Sequence, residues 1–234
     1  MARPSRSELA IVVTAGLGAG HVHAAWSDDF DNNSFDQAWT FFSLPSDSGS
    51  ASITDVPSTT DDHLAMTAPS GSSEQLAVGY VASQAFSNAQ VSAWVNETGT
   101  GSGHFDIQTD HFLFARAALS GSGIDSAYAL QVDWELESIS LHVIKVAANA
   151  EVPGEFGTAG EFFSGVDTNQ RFWAQLTVTG DTTPLVVGNL YNAPGGSLLA
   201  TATYTDTTGS PYGSGFSGVA PHGQRLRHRL HLIV

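Results

Sequence analysis

The sequence predicts an all-β protein folded as a large antiparallel β-sandwich, and three observations carry that expectation. Along Tyr128–Val146 apolar and polar residues alternate. Tyr128, Leu130, Val132 and Trp134 share one face and Ala129, Gln131 and Asp133 the other; after a turn, Ile139, Leu141 and Val143 alternate with Ser140 and His142. A period of two buries one face of a pleated strand and cannot build an amphipathic helix, whose period is about 3.6. The same rhythm returns every ~8–12 residues between turns containing glycine, the spacing of sandwiches and barrels. No segment after residue 25 carries the pattern of a helix longer than one turn.

The elements follow in order. Residues 26–75 are rich in loops, with short strands expected at 39–44 and 63–68, because 45–52 and 57–62 are Ser-, Thr-, Asp- and Pro-rich turn chemistry. Strands are then expected at 76–82, 90–96, 110–119, 128–134 and 138–146. A Gly-containing insertion is expected at 149–166, and further strands at 171–179, 185–191 and 198–204. Neither an internal repeat nor a linker divides the chain.

The 234 residues include no cysteine, so a disulfide framework and a Cys-based zinc site are both excluded. The first 25 residues read as a signal peptide. Arg3 and Arg6 form a basic start, Leu9–Gly20 a short apolar run, and Val22-His23-Ala24 with Ala25 a small-residue cleavage site. That run is too short to span a ~30 Å hydrocarbon layer, and no later segment is apolar enough to cross a membrane. Residues 26–223 are expected to form one domain, which suits a sandwich of ~200–250 residues. Residues 224–234 are an atypical tail, with Arg225, Arg227 and Arg229 alternating with Leu226, His228 and Leu230.

Charge is unevenly placed. Between residues 25 and 224 only Arg116, Lys145 and Arg171 are basic, against 22 acids. Such a body repels phosphate backbones and anionic headgroups, which disfavours a nucleic-acid-binding role, and it tolerates hard cations.

Three stretches carry a resemblance. Ser27–Trp39, reading Ser-Asp-Asp-Phe-Asp-Asn-Asn-Ser-Phe-Asp-Gln-Ala-Trp, resembles the opening of secreted concanavalin A-like (laminin-G-like) jelly-roll domains. Ala115–Gly123 followed by Tyr128–Asp133 is similar to their central hairpin. Gly188–Tyr191, Gly196–Ala202 and Gly215–Val219 are similar to their closing strands. The resemblance implies two stacked antiparallel sheets, one concave. That superfamily holds glycan-binding modules, glycosidases and adhesive domains, so the fold alone does not select a function.

Several groups are candidates for chemistry. Trp94 alternates with Ser92 and Asn96, and Trp173 shares a face with Gln175 and Thr177, whereas their sequence neighbours are apolar. A Trp on a polar face is either a stacking platform for a sugar or a partly buried ring with its indole N–H satisfied. Trp94, Trp173, Asn96 and Gln175 are therefore the expected ligand-binding residues. The N-terminal acids Asp28, Asp29, Asp31 and Asp36 are candidate ligands for Ca²⁺, which takes six to eight oxygens; the resemblance implies a structural calcium where first and last strands meet. No cofactor is required by the sequence.

Catalysis has weaker support. Retaining glycosidases need two carboxylates ~5–5.5 Å apart. The one-strand Glu-x-Asp-x-x-Glu arrangement of the β-glucanases in the superfamily is absent, and Glu135 and Glu137 fall at a hairpin tip. His104, Asp106, Gln108 and Asp110 would line one strand face, a polar set that could hold a transition metal. No nucleophile-elbow motif is present. The expectation is a secreted, non-catalytic domain recognising polysaccharide or extracellular-matrix glycan. The alternatives are a glycoside hydrolase-like enzyme drawing on Asp106, Asp110, Asp133, Glu135 or Glu137, and a structural cell-envelope or biofilm protein.

Overall fold

A computed structural model of the chain describes residues 11–14, 25–28, 39–44, 52–56, 63–67, 75–96, 107–120, 123–134, 138–158, 162–163 and 171–225. Among them the regular elements are all strands: β1 (Ile11–Thr14), β2 (Ala25–Asp28), β3 (Trp39–Leu44), β4 (Ser52–Val56), β5 (His63–Thr67), β6 (Gln75–Val81), β7 (Ala89–Asn96) and β8 (Ile107–Ser120). There follow β9 (Gly123–Trp134), β10 (Ser138–Ala147), β11 (Ala150–Thr158), β12 (Phe162–Phe163), β13 (Arg171–Thr179), β14 (Leu185–Tyr191), β15 (Leu198–Thr205) and β16 (Phe216–Arg225).

They build two antiparallel sheets. One has the order β15-β14-β13-β7-β1-β2; the other runs β11-β10-β9-β8-β16-β6-β3, with β12 beside β10. β4 and β5 pair as a separate hairpin. The strand nearest the N-terminus, β1, lies within the segment read as a leader and pairs with β7 through Val13↔Val91.

The sheets pack face to face because alternate residues on both are apolar. Val91, Leu176, Val178 and Leu190 from the first meet Leu113, Leu130, Val132, Leu141 and Val143 from the second, all buried in one core. Burying each such side chain contributes about 1.5–3 kcal/mol. The layers approach closely at Gly188, where a Cβ would come within 2.4 Å of Leu130 Cδ1. Along one side the sheets also meet edge to edge. A Cβ on Gly157 of β11 would lie 1.8 Å from the carbonyl oxygen of Thr203 on β15, and the Tyr204 hydroxyl donates to Glu155 there. This contact covers two strand edges that would otherwise expose unpaired backbone.

The alternation of the β9–β10 hairpin is as expected on its inner side: Tyr128, Leu130, Val132, Ile139, Leu141 and Val143 are fully buried. Its other face differs from the simple polar expectation, since Ala129, Gln131 and Asp133 are buried too. The cause is a second apolar cluster on the far side of the eight-stranded sheet, which includes Val78, Phe112, Phe114, Ile144 and Val146.

The insertion expected at 149–166 is in its first half strand β11, which continues the sheet. Ala148 and Asn149 both take positive φ (51° and 64°) between the paired residues Ala147 and Ala150. That is the two-residue hairpin turn whose twist matches its strands, and here it uses Ala-Asn in place of the usual Asn-Gly. The turn is tied down by Ile124 N–H donating to Asn149 Oδ1 at 2.6 Å. The C-terminal strand β16 carries pairing two residues into the basic tail, with Arg225 opposite Ile107.

Candidate functional site

The outward face of the six-stranded sheet collects the aromatic candidates. Phe172, Ala174 and Leu176 point into the core, so Trp173 and Gln175 take the opposite face; on β7, Ala93 and Val95 are core residues and Trp94 is turned outward. Register then aligns the outward residues in rows. Trp173 lies directly opposite Trp94 on one side and Tyr191 on the other. A bulge between Leu190 and Tyr191 brings Leu198 opposite Tyr191, which extends the row over four strands. The two indoles meet edge to face, with ring centroids 5.6 Å apart and planes at 74°, an arrangement favoured by the ring quadrupoles.

Two further rows follow along the strands. Ser92, Gln175, Asn189 and Thr201 form one row, each opposite the next, and Gln90, Thr177, Val187 and Thr203 form another. Gln175 Nε2 donates to Ser92 Oγ at 3.3 Å, which orients the amide within the row. Thr201 and Thr203 are exposed, and Gln175 and Asn189 are half-buried. With Ser92 buried at 1 % exposure, the face offers apolar surface on one row and Gln175, Asn189 and Thr201 as neutral donors and acceptors on the next.

The predicted pair is unequal. Trp94 is partly accessible, but Trp173 is only 7 % exposed. It is flanked by Trp94 and Tyr191, so it supports the row more than it presents a free ring. The accessible apolar surface lies instead at Trp94, Tyr191 and the 53 % exposed Leu198. Tyr191 and Leu198 were not foreseen as site residues; the polar-face alternation of β14 held the signal for Tyr191, whereas Leu198 depends on the bulge. Asn96 ends β7 with its backbone opposite Arg171.

A buried polar cluster closes one end of the core, and sequence reasoning did not foresee it. Lys145 Nζ lies 2.8 Å from Asp206 Oδ2, with both side chains almost wholly buried. Lys145 also donates to Thr208 Oγ1 and the Ser210 carbonyl and stands over the Tyr212 ring. Asp206 Oδ2 accepts from the Tyr128 hydroxyl at 2.5 Å, and its Oδ1 accepts from Thr208 N and Oγ1. Burial alone would raise the Asp206 carboxyl, but the hydrogen bonds from Lys145, Thr208 and Tyr128 outweigh it and bring it to about 2. The Tyr128 phenol is pushed upward by burial and by its bond to Asp206.

Arg116 completes this cluster. It takes a positive φ of 53° where the β8–β9 register shifts. Its guanidinium donates to the carbonyls of Tyr212 and Gly180, tying the 206–215 loop to the 180–184 turn. Two of the three basic residues between 25 and 224 are therefore committed to holding loops. The sequence signal was parity: Lys145 falls in step with Ile139, Leu141 and Val143 on the buried side.

Of the acids considered, Asp110 and Asp133 are brought together. They stand opposite each other on β8 and β9, with His222 opposite Asp110 on β16 and Ser140 opposite Asp133 on β10. Asp133 is 1 % exposed. His104, Asp106, Glu135 and Glu137 lie outside the described residues. So do Asp29, Asp31 and Asp36 of the calcium set, whereas Asp28 ends β2 opposite Ile11. Among the described residues no group of three or more His, Asp or Glu is placed to hold a metal ion, and no helix is long and apolar enough to cross a membrane.

Comparison with protein-family models, with curated proteins and with solved structures returned no match.

Proposed function

We propose that this protein is a secreted, non-catalytic recognition domain for polysaccharide or extracellular-matrix glycan, built as a concanavalin A-like jelly roll. The observation that carries the reading is the accessible pair Trp94 and Tyr191, buttressed by the buried Trp173 between them, set beside Gln175, Asn189 and Thr201 on one sheet face. Sugars present C–H faces that pack on aromatic rings and hydroxyls that need fixed donors and acceptors, and these two rows supply one of each. Side chains held on strands lose little freedom on binding, which favours affinity. The leader-like first 25 residues support secretion; the reading requires no cofactor, and Asp28, Asp29, Asp31 and Asp36 are the candidate ligands for a calcium ion.

The test is a glycan array probed with the secreted protein and with Trp94→Ala. Retention on at least one polysaccharide, lost in the variant, is the expected result; an array with no retained glycan ends the reading.

One observation favours a second reading, a glycoside-cleaving enzyme. What supports it is that Asp110 and Asp133 stand opposite each other in register on neighbouring strands, since a glycosidase needs two carboxylates in one place. Release of reducing sugar from a polysaccharide panel, abolished in Asp133→Asn, would establish it. Turnover that survives both Asp110→Asn and Asp133→Asn would exclude that pair.

A further inference from the structure

We infer that the ligand of the six-stranded face is an uncharged polysaccharide, engaged over several sugar units, and not an acidic or sulfated one. The inference rests on the recognition reading above and narrows it. In the three rows that cross β7, β13, β14 and β15 no position is Asp, Glu, Lys or Arg. The chain as a whole carries 23 acids, eight bases and a formal charge of −15, so the absence of carboxylates from this face sets it apart from the body.

That composition restricts the partner. An anionic polymer would meet a repelling field from the whole molecule and find no cation within the rows to compensate the desolvation of its carboxylates or sulfates. A cationic polymer would find no acid there. A neutral sugar has no ionic group to desolvate, only hydroxyls whose lost bonds to water must be replaced; these can pair with Gln175, Asn189 and Thr201 while its rings pack on Trp94 and Tyr191. Four strands at ~4.8 Å spacing make each row ~14 Å wide, and successive rows are ~6.7 Å apart along the strands. This is the footprint of a chain of sugars, not of one ring. The nearest base in register is Arg171, opposite Asn96 at the border of the aromatic row, and it provides the control.

The experiment measures binding of the full chain to uncharged hexasaccharides and to uronate and sulfated hexasaccharides of equal length, at low and high salt. Wild type is compared with Trp94→Ala, Thr201→Glu and Arg171→Gln. Thr201 is exposed, so its variant tests the face without threatening the fold. The expected result is retention of an uncharged hexasaccharide that salt and Arg171→Gln leave unchanged. Trp94→Ala should weaken it ~10- to 30-fold, the loss typical of an aromatic hot spot, and Thr201→Glu should weaken it as well. Retention of an acidic hexasaccharide that falls with salt and with Arg171→Gln overturns the inference and leaves the recognition reading standing. Uncharged binding indifferent to both Trp94→Ala and Thr201→Glu also overturns it, because the sugar then binds elsewhere. No retention of any hexasaccharide overturns both.

Discussion

Lys145 of β10 and Asp206, the residue after β15, form an ion pair 2.8 Å long that is sealed from solvent, with side-chain exposures of 5 % and 0 %. The pair joins the two sheets at one end of the core. A buried pair can cost as much in desolvation as it returns in attraction. Here the remaining capacity of both partners is filled by Tyr128, Thr208 and Ser210, which is what makes such a pair tolerable. Arg116 binds the same loop from the other side through the Tyr212 carbonyl.

Removing one partner leaves the other charge buried and uncompensated. Lys145→Met is expected to lower stability by about 3–5 kcal/mol, measured by urea denaturation. Lys145→Met combined with Asp206→Asn is expected to recover part of that loss. A single-variant cost below ~1 kcal/mol would mean that the pair is solvated in solution.

The same carboxyl gives a pH dependence with a definite sign. Its folded value, about 2, lies below the ordinary 3.8. Its stabilisation is therefore complete above about pH 4 and is lost as the pH falls from there through about 2. The size is about 2 kcal/mol by linkage. The stability difference between wild type and Asp206→Asn should be flat from neutrality to about pH 4 and shrink below it. A difference that stays constant down to pH 2 contradicts the assignment.

Gly157 and Gly188 should respond differently to an added methyl group. At Gly188 the obstacles are the tips of Leu130 and Val143, which can move; at Gly157 the obstacle is the Thr203 carbonyl, fixed in its strand. Gly188→Ala is expected to cost about 1–3 kcal/mol by overpacking, and Leu130→Val in the same chain should relieve it. Gly157→Ala should cost more and find no single side-chain rescue. Equal melting temperatures for the two variants would refute the distinction.

The two tryptophans should separate in the same way. Trp173, 7 % exposed and flanked by two rings, behaves as a packed residue, and Trp173→Ala is expected to cost about 3–5 kcal/mol. Trp94→Ala removes one edge-to-face contact, worth about 0.5–1.5 kcal/mol beyond its buried area, and should be the milder change. Denaturation curves check this, and a Trp94 variant less stable than the Trp173 variant would reverse the roles.

Much of the architecture was legible from alternation alone. The central strands, the inner faces of β9, β10 and β13, and the outward placement of Trp94 and Trp173 all follow from which parity is apolar. Alternation cannot report what covers the second face of a sheet, and this is why the burial of Gln131 and Asp133 went unread. Nor did it reveal β11, whose turn uses Ala-Asn rather than a glycine signal. Of the candidate site, the tryptophans and Gln175 were legible, but the row that joins them to Tyr191 and Leu198 was not, because register and a bulge set it.

By itself the sequence determined the class of fold, the sign of the surface charge, the absence of disulfides and the choice of inward and outward side chains, since all of these are local or additive properties. Only the tertiary structure decided which residues distant along the chain become neighbours. Lys145 and Asp206 are 2.8 Å apart across a gap of 61 positions in the sequence. Such a meeting depends on sheet order and strand register. These are fixed by the cooperative packing of two layers and leave no trace in a short stretch of residues.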